Sequence, residues 1–172
     1  MSLSALTAEL RALQARLTEL EDERAILSVL TRYGNYADSR RDDDWIALWA
    51  EDAVLEIELG PDAPVYGDRR RWSGHDGLRT FISNPEAHHR AGFYGSSLHL
   101  HGNNSAIRLV GESAIATTYA LLLHNDDGEI RIVSAGVCSW RFDKRAGRWL
   151  IGECRRRRVG AVDTEAILRA TE

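Results

Sequence analysis

Cysteine is nearly absent from this 172-residue chain, which carries only Cys138 and Cys154. Two cysteines do not make a disulfide framework, so both are expected as free thiols, close together on strands joined by a tight hairpin. No apolar run approaches the length that crosses a bilayer. The opening MSLSALTAEL lacks the basic stretch and long apolar core of a secretory signal, so a cytoplasmic location is expected. Basic surplus is missing too: the net charge of −4 argues against a nucleic-acid binder, which needs a clustered cationic surface. No glycine-rich phosphate loop follows a strand and no dinucleotide fingerprint occurs, so no organic cofactor is expected. Internal repeats and low-complexity tracts are lacking as well.

What is present begins with a regular seam. Leu3, Leu6, Leu10, Leu13, Leu17 and Leu20 alternate three- and four-residue spacings, the pattern of a coiled-coil face. Arg24 interrupts it, and a wider stripe of Ile26, Leu27, Leu30 and Tyr33 follows, suited to packing on a sheet. One long helix is predicted over about 4–37, its first half an extension and its second half part of a domain. Residues 1–20 are thus assigned to the helical extension, 21–160 to the domain and 161–172 to a tail. The seam either meets a neighbouring subunit, giving a homo-oligomer (dimer or trimer), or covers the outside of its own domain.

Asp42, Asp43 and Asp44 favour the start of a second helix carrying Trp45, Leu48 and Trp49. Val54–Leu59 alternates as a strand, Val65–Trp72 reads as a second, and a third helix runs from His75 or Asp76 to about Asn84 before Pro85. From Ser97 the chain is strand and hairpin: 97–110, 113–124, 129–143 and 148–159, separated by short turn signals. Helices followed by an antiparallel meander predict an α+β fold with helices on one face of the sheet.

Tyr33, Asp38 and the segment DDDWIALWAEDAV, with Trp49, Asp52 and Ala53 at the strand entry, resemble the opening of the nuclear-transport-factor-2-like superfamily. The likeness is closest to its SnoaL-like and scytalone-dehydratase-like branch and spans roughly 21–159. It extends to His99-Leu100-His101-Gly102-Asn103, where a histidine opens the strand after the third helix and an asparagine follows four residues on. The resemblance implies a cone-shaped α+β barrel: a strongly curved, mostly antiparallel sheet wrapped by three helices around a pocket. It also implies catalytic roles for Tyr33, Asp38 and His99. Spacing alone does not bring them together, since five helical residues set Tyr33 and Asp38 about 140° apart. In such a site a carboxylate fixes the imidazole tautomer, the free nitrogen moves a proton, and a tyrosine stabilises a developing oxyanion. The activity implied is a cofactor-independent lyase or isomerase (a dehydratase, retro-aldol or cyclase reaction) acting on a small hydrophobic substrate.

His99 and His101 share one strand face, a seed for a metal site, but no third and fourth ligand stand at a recognisable spacing, so no metal is assigned. His101 is instead assigned to substrate contact. His88 and His89 read as solvated loop residues, and His75 and His124 as surface residues. Trp49 and Trp149 occupy core-like positions, with Trp49 also assigned to substrate contact. Trp72, Tyr66, Tyr94 and Tyr119 are candidates to line or cap the pocket, which favours an aromatic or polycyclic substrate. In the run Arg155–Arg158 the strand period sends alternate residues to opposite faces. The bland reading solvates or pairs them all; the functional one turns Arg155 or Arg157 inward to bind a substrate oxygen, and Arg155 is the residue chosen. Two other functions compete with the enzyme: the non-catalytic β subunit of an aromatic-ring-hydroxylating dioxygenase, and an inert small-molecule binding module.

Overall fold

The computed structural model describes residues 2–58 and 70–171, with backbone alone for 102–104. Helix α1 (Leu3–Asp38) starts at Ser2, whose hydroxyl accepts from the Ala5 amide at 3.2 Å. The six side chains of its leucine seam are between 50% and 81% exposed, so among the described residues the seam is not covered by its own domain. Contact with the domain begins at Asp22, which accepts from Lys144 Nζ at 2.6 Å and from Trp149 Nε1 at 2.8 Å. Beyond it, Ile26, Val29, Leu30, Tyr33 and Ala37 are buried. Gly34 sets how closely α1 approaches the sheet, because a Cβ there would lie 2.7 Å from the His99 carbonyl oxygen.

After α1 come α2 (Asp42–Ile46), β1 (Trp49–Ile57), β2 (Arg71–Ser73) and α3 (Gly74–Ile82). Trp49, predicted on the second helix, opens the first strand instead. The Ile151 amide bonds to Leu48 O at 2.8 Å, so the sheet captures the chain before the helix gains another turn. Three aspartates fill the first turn of α2, yet its N-cap, Arg41, makes no side-chain capping bond. Of the predicted second strand only its end, as β2, falls within the described residues; Tyr66 lies outside them.

The meander follows the sequence reading closely: β3 (Ser97–Val110), β4 (Ser113–Asp126), β5 (Glu129–Arg145) and β6 (Arg148–Arg158). Asp127 and Gly128 (φ 49° and 93°) and Ala146 and Gly147 (φ 50° and 76°) make two of its turns. Consecutive positive φ angles match the twist of the flanking strands. The strand order is β2-β1-β6-β5-β4-β3, with β1 and β6 parallel and the other pairs antiparallel. The fold is α+β, with a strongly curved sheet and a long N-terminal helix. Trp45, Trp49, Trp72, Trp140 and Phe142 fill the core between sheet and helices. The segment taken as a tail contains a further short helix, α4 (Thr164–Arg169), which lies on the outer face, where Thr117 Oγ1 donates to Ile167 O at 3.0 Å.

Candidate functional site

Asp38 is the last residue of α1, where the negative end of the helix dipole disfavours a carboxylate. Two bonds to β3 offset this. Oδ2 accepts from the His99 backbone amide at 2.8 Å, and Oδ1 lies 2.6 Å from His99 Nδ1. The carboxylate thus grips both backbone and ring of one residue. It assigns the Nδ1 proton and leaves His99 Nε2 as the atom that accepts or returns one.

Two further imidazoles flank that ring. His88 stacks on it at 5.5 Å with 19° between planes, and His101 at 6.0 Å with 17°. Both flanking rings are buried, each 8% exposed. Burial, with repulsion from His99 and other cations, pushes His88 down to about 3, and His101 is likewise driven well below the usual histidine range. Both are therefore neutral at physiological pH. Three inner histidines lie in a row, and the middle one holds the Asp38 carboxylate on Nδ1.

Tyr33 meets this row through His101: their rings lie 4.9 Å apart, edge to face, with Trp140 at 5.1 Å and Trp45 at 5.3 Å from Tyr33. Trp49 is buried against Tyr33 at 6.0 Å. The Nε1 atoms of Trp45 and Trp49 and Nε2 of His101 are buried without a hydrogen-bond partner among the described residues. Unsatisfied polar atoms in an apolar interior are costly. Among the described residues no three histidine, cysteine or carboxylate groups converge as metal ligands.

Several assignments need correction. Tyr119 is 50% exposed on the outer face, since Ala116, Thr118 and Ala120 take the inner positions of β4. Arg155 also faces outward, paired with Glu153 at 2.8 Å beside an outer cleft, and Arg157 is tied to Glu56 and Asp163. The inward arginine is Arg156, opposite Cys138 in the register, bonded to Ser134 Oγ at 3.0 Å and acting electrostatically on His88 and His101. A β-bulge explains the shift: Phe142 pairs Ile151 while Arg141 pairs Glu153, so Gly152 is an extra residue. The strand parity that puts Trp149 and Ile151 inward reverses beyond it.

His88, read as solvated, is 8% exposed, with its ring against Phe81 at 4.7 Å and Phe93 at 5.6 Å. His89 points the other way and pairs with Asp42 at 2.8 Å. His75 and His124 are partly buried and bond to Trp49 O and Ser97 Oγ. Trp72 packs in the core on Phe81 at 4.8 Å, and Tyr94 lies under the Arg40 guanidinium at 4.2 Å. Cys138 and Cys154 are both buried and free.

His88 gives the site a pH dependence. Below about 6.5 the unfolded chain protonates this side chain, whereas the folded chain resists until about 3. Its contribution is therefore intact above the higher value and is lost as pH falls through the window. The loss amounts to about 1.4 kcal/mol per pH unit. His88→Phe is expected to melt with a weaker decline between pH 7 and pH 5 than the parent chain. Equal declines would show that His88 is protonated in the folded state.

A family model for the SnoaL-like domain matches residues 18–155. No curated protein matches the chain significantly by sequence. Among solved structures, an NTF2-like protein with a cystatin-like fold from Novosphingobium aromaticivorans superposes with a TM-score of 0.80 at 22% identity, covering 93% of this chain and 97% of the other. Hexachlorocyclohexane dehydrochlorinase LinA-type3 from Novosphingobium barchaimii gives 0.66 at 17%, covering 84% and 90%. The β subunit assigned to an aromatic-ring-hydroxylating dioxygenase of Novosphingobium aromaticivorans gives 0.62 at 19%, covering 81% and 90%. At these identities the likeness is one of fold.

Proposed function

We propose that this chain, which belongs to the SnoaL-like domain family, is a cofactor-independent lyase or isomerase acting on a small hydrophobic, aromatic or polycyclic substrate. One observation carries the reading: His99 Nδ1 lies 2.6 Å from Asp38 Oδ1, while burial holds the flanking imidazoles of His88 and His101 neutral. Differentiated environments of this kind separate a proton carrier from its neighbours. His99 Nε2 removes a proton from carbon next to a carbonyl or leaving group. The C–H electron pair forms the new double bond, and the leaving group departs with its own pair or the enol reprotonates elsewhere. Asp38 orients the ring and balances its charge, and Tyr33 with Arg156 faces the oxygen on which negative charge builds. A neighbour of the same fold is named a hexachlorocyclohexane dehydrochlorinase, and elimination is the reaction taken first.

The fold of the dioxygenase β subunit keeps the non-catalytic role as the second reading, and an inert binding module as a third. We assign the protein to the cytoplasm on its two closely placed free thiols, and we read the uncovered leucine seam as the contact between copies in a homo-oligomer.

The test is a panel of cyclic β-hydroxyketones and vicinal halocarbons incubated in D2O with EDTA. Elimination products, or isomers that carry solvent deuterium at the reprotonated carbon, are expected. Binding without turnover or exchange across the panel supports the inert module. Co-purification from its native host with a large iron–sulfur protein supports the subunit role.

A further inference from the structure

Beneath His101 lies a chain of polar groups that the proton transfer at His99 does not use. Trp140 Nε1, which can only donate, gives its proton to Thr118 Oγ1 at 2.9 Å. The threonine hydroxyl is thereby left to donate onward, and the residue directly across the strands from it is Cys138. The Cys154 thiol also lies against Cys138. Cys138 has one proton to place, and its Sγ stands 4.0 Å from His101 Nδ1. All four residues are buried: Thr118, Cys138 and Trp140 show no exposure, Cys154 1%. With Nδ1 accepting, the neutral ring carries its proton on Nε2. That atom is buried and has no partner among the described residues. His101 is 8% exposed, and its ring lies 6.0 Å from His99.

We infer that Trp140, Thr118 and Cys138 form a one-way hydrogen-bond chain that fixes His101 as the Nε2–H tautomer, and that this N–H holds a carbonyl or phenolate oxygen of the substrate. Arg156, opposite Cys138 in the register, lends its charge to the same oxygen. The donor stays neutral, so it strengthens as the oxygen becomes anionic without itself giving up the proton that His99 carries. Cys138 is a positioning residue here: it acts on the substrate only through the imidazole. A thiol suits the place because it is small, tolerates the apolar surroundings and still has one proton to direct. The oxygen-binding half rests on the proton-transfer reading above; the tautomer half does not.

Long-range proton–nitrogen correlation on 15N-histidine-labelled protein at neutral pH reads the tautomer directly, with His101→Gln identifying the resonances. A pyrrole-type shift at Nε2 and a pyridine-type shift at Nδ1 are expected. Cys138→Val should turn this into a mixture, and Cys138→Ser, which restores a donor, should bring the single tautomer back. A protonated Nδ1 in the parent protein overturns the inference, as does a Cys138→Val spectrum identical to the parent. For the ligand, 4-nitrophenolate is titrated into the same sample. The His101 Nε2 signal should move on binding, and His101→Gln should weaken binding about tenfold, equivalent to about 1.4 kcal/mol. Failure to bind, or binding that leaves His101 unmoved, removes the oxygen site. If nitrophenolate seats on His101 while His99→Gln leaves turnover intact, the proton-transfer reading fails alone.

Discussion

His99→Gln is expected to lower turnover by about 10²–10⁴-fold, the span associated with losing a general base. Glutamine approximates the volume and keeps one hydrogen bond, but it cannot take up a proton. Asp38→Asn should fall in the same range for a different reason. The carboxylate accepts twice, from the His99 amide at 2.8 Å and from its ring at 2.6 Å. An asparagine has one acceptor oxygen, so its NH2 must face one of those two donors. Either the imidazole moves its proton to Nε2, the wrong tautomer for a base, or a buried donor loses its partner at about 1–3 kcal/mol of stability. The double variant should be no slower than the worse single one, because the two residues act as a unit. Tyr33→Phe should cost less, since the base survives. Circular dichroism must first show each variant folded. Unchanged turnover in folded His99→Gln would refute the proton-transfer reading and leave a binding pocket or a reaction run by His101.

Local patterns in the chain reached far into this site. Hairpin signals located β3 to β6 within a few residues, because two-residue turns with positive φ leave little freedom in register. Placing Asp38 beside His99 was different. Helical spacing separates Tyr33 from Asp38, and sixty-one residues separate Asp38 from its partner, so only the family resemblance could join them. Physically the junction depends on Gly34, whose missing side chain lets α1 settle onto the His99 carbonyl.

Each departure from the sequence reading has its own physical cause. Strand faces were counted by alternation, and a single extra residue at Gly152 moved Arg156 inside and Arg155 out. Tyr119 was misplaced because β4 is lined inside by small residues, so its one large ring looked like the buried face. His88 was lost in a segment without period, where only tertiary neighbours decide burial. Cys138 was read for its redox state alone; its place beneath His101 follows from cross-strand register that no local pattern contains.

Leu10→Glu with Leu13→Glu is expected to reduce the mass in solution to that of one chain. The six seam leucines are at least half exposed, and the span of Leu3–Leu20 is about 27 Å at 1.5 Å per residue. A helix of that length gains little stability by itself, and so regular a seam has its ordinary use against another helix of the same kind. A second copy fits by charge. Arg16 flanks the seam on one side, with Glu9 on the same flank and Glu21 on the other. Parallel helices would bring Arg16 against the partner's Glu21, and antiparallel ones against the partner's Glu9; both are attractive. Burying the leucines against another copy would stabilise the assembly by several kcal/mol at about 25 cal/mol per Å². Two buried glutamates would cancel that gain. The domain should be indifferent, since its first anchor on α1 is Asp22, which the substitutions leave in place. Light scattering at tens of micromolar should therefore report a dimer or trimer for the parent and a folded monomer for the variant. A parent protein already monomeric, or a variant that keeps its mass, would show that the seam does not join copies of this chain.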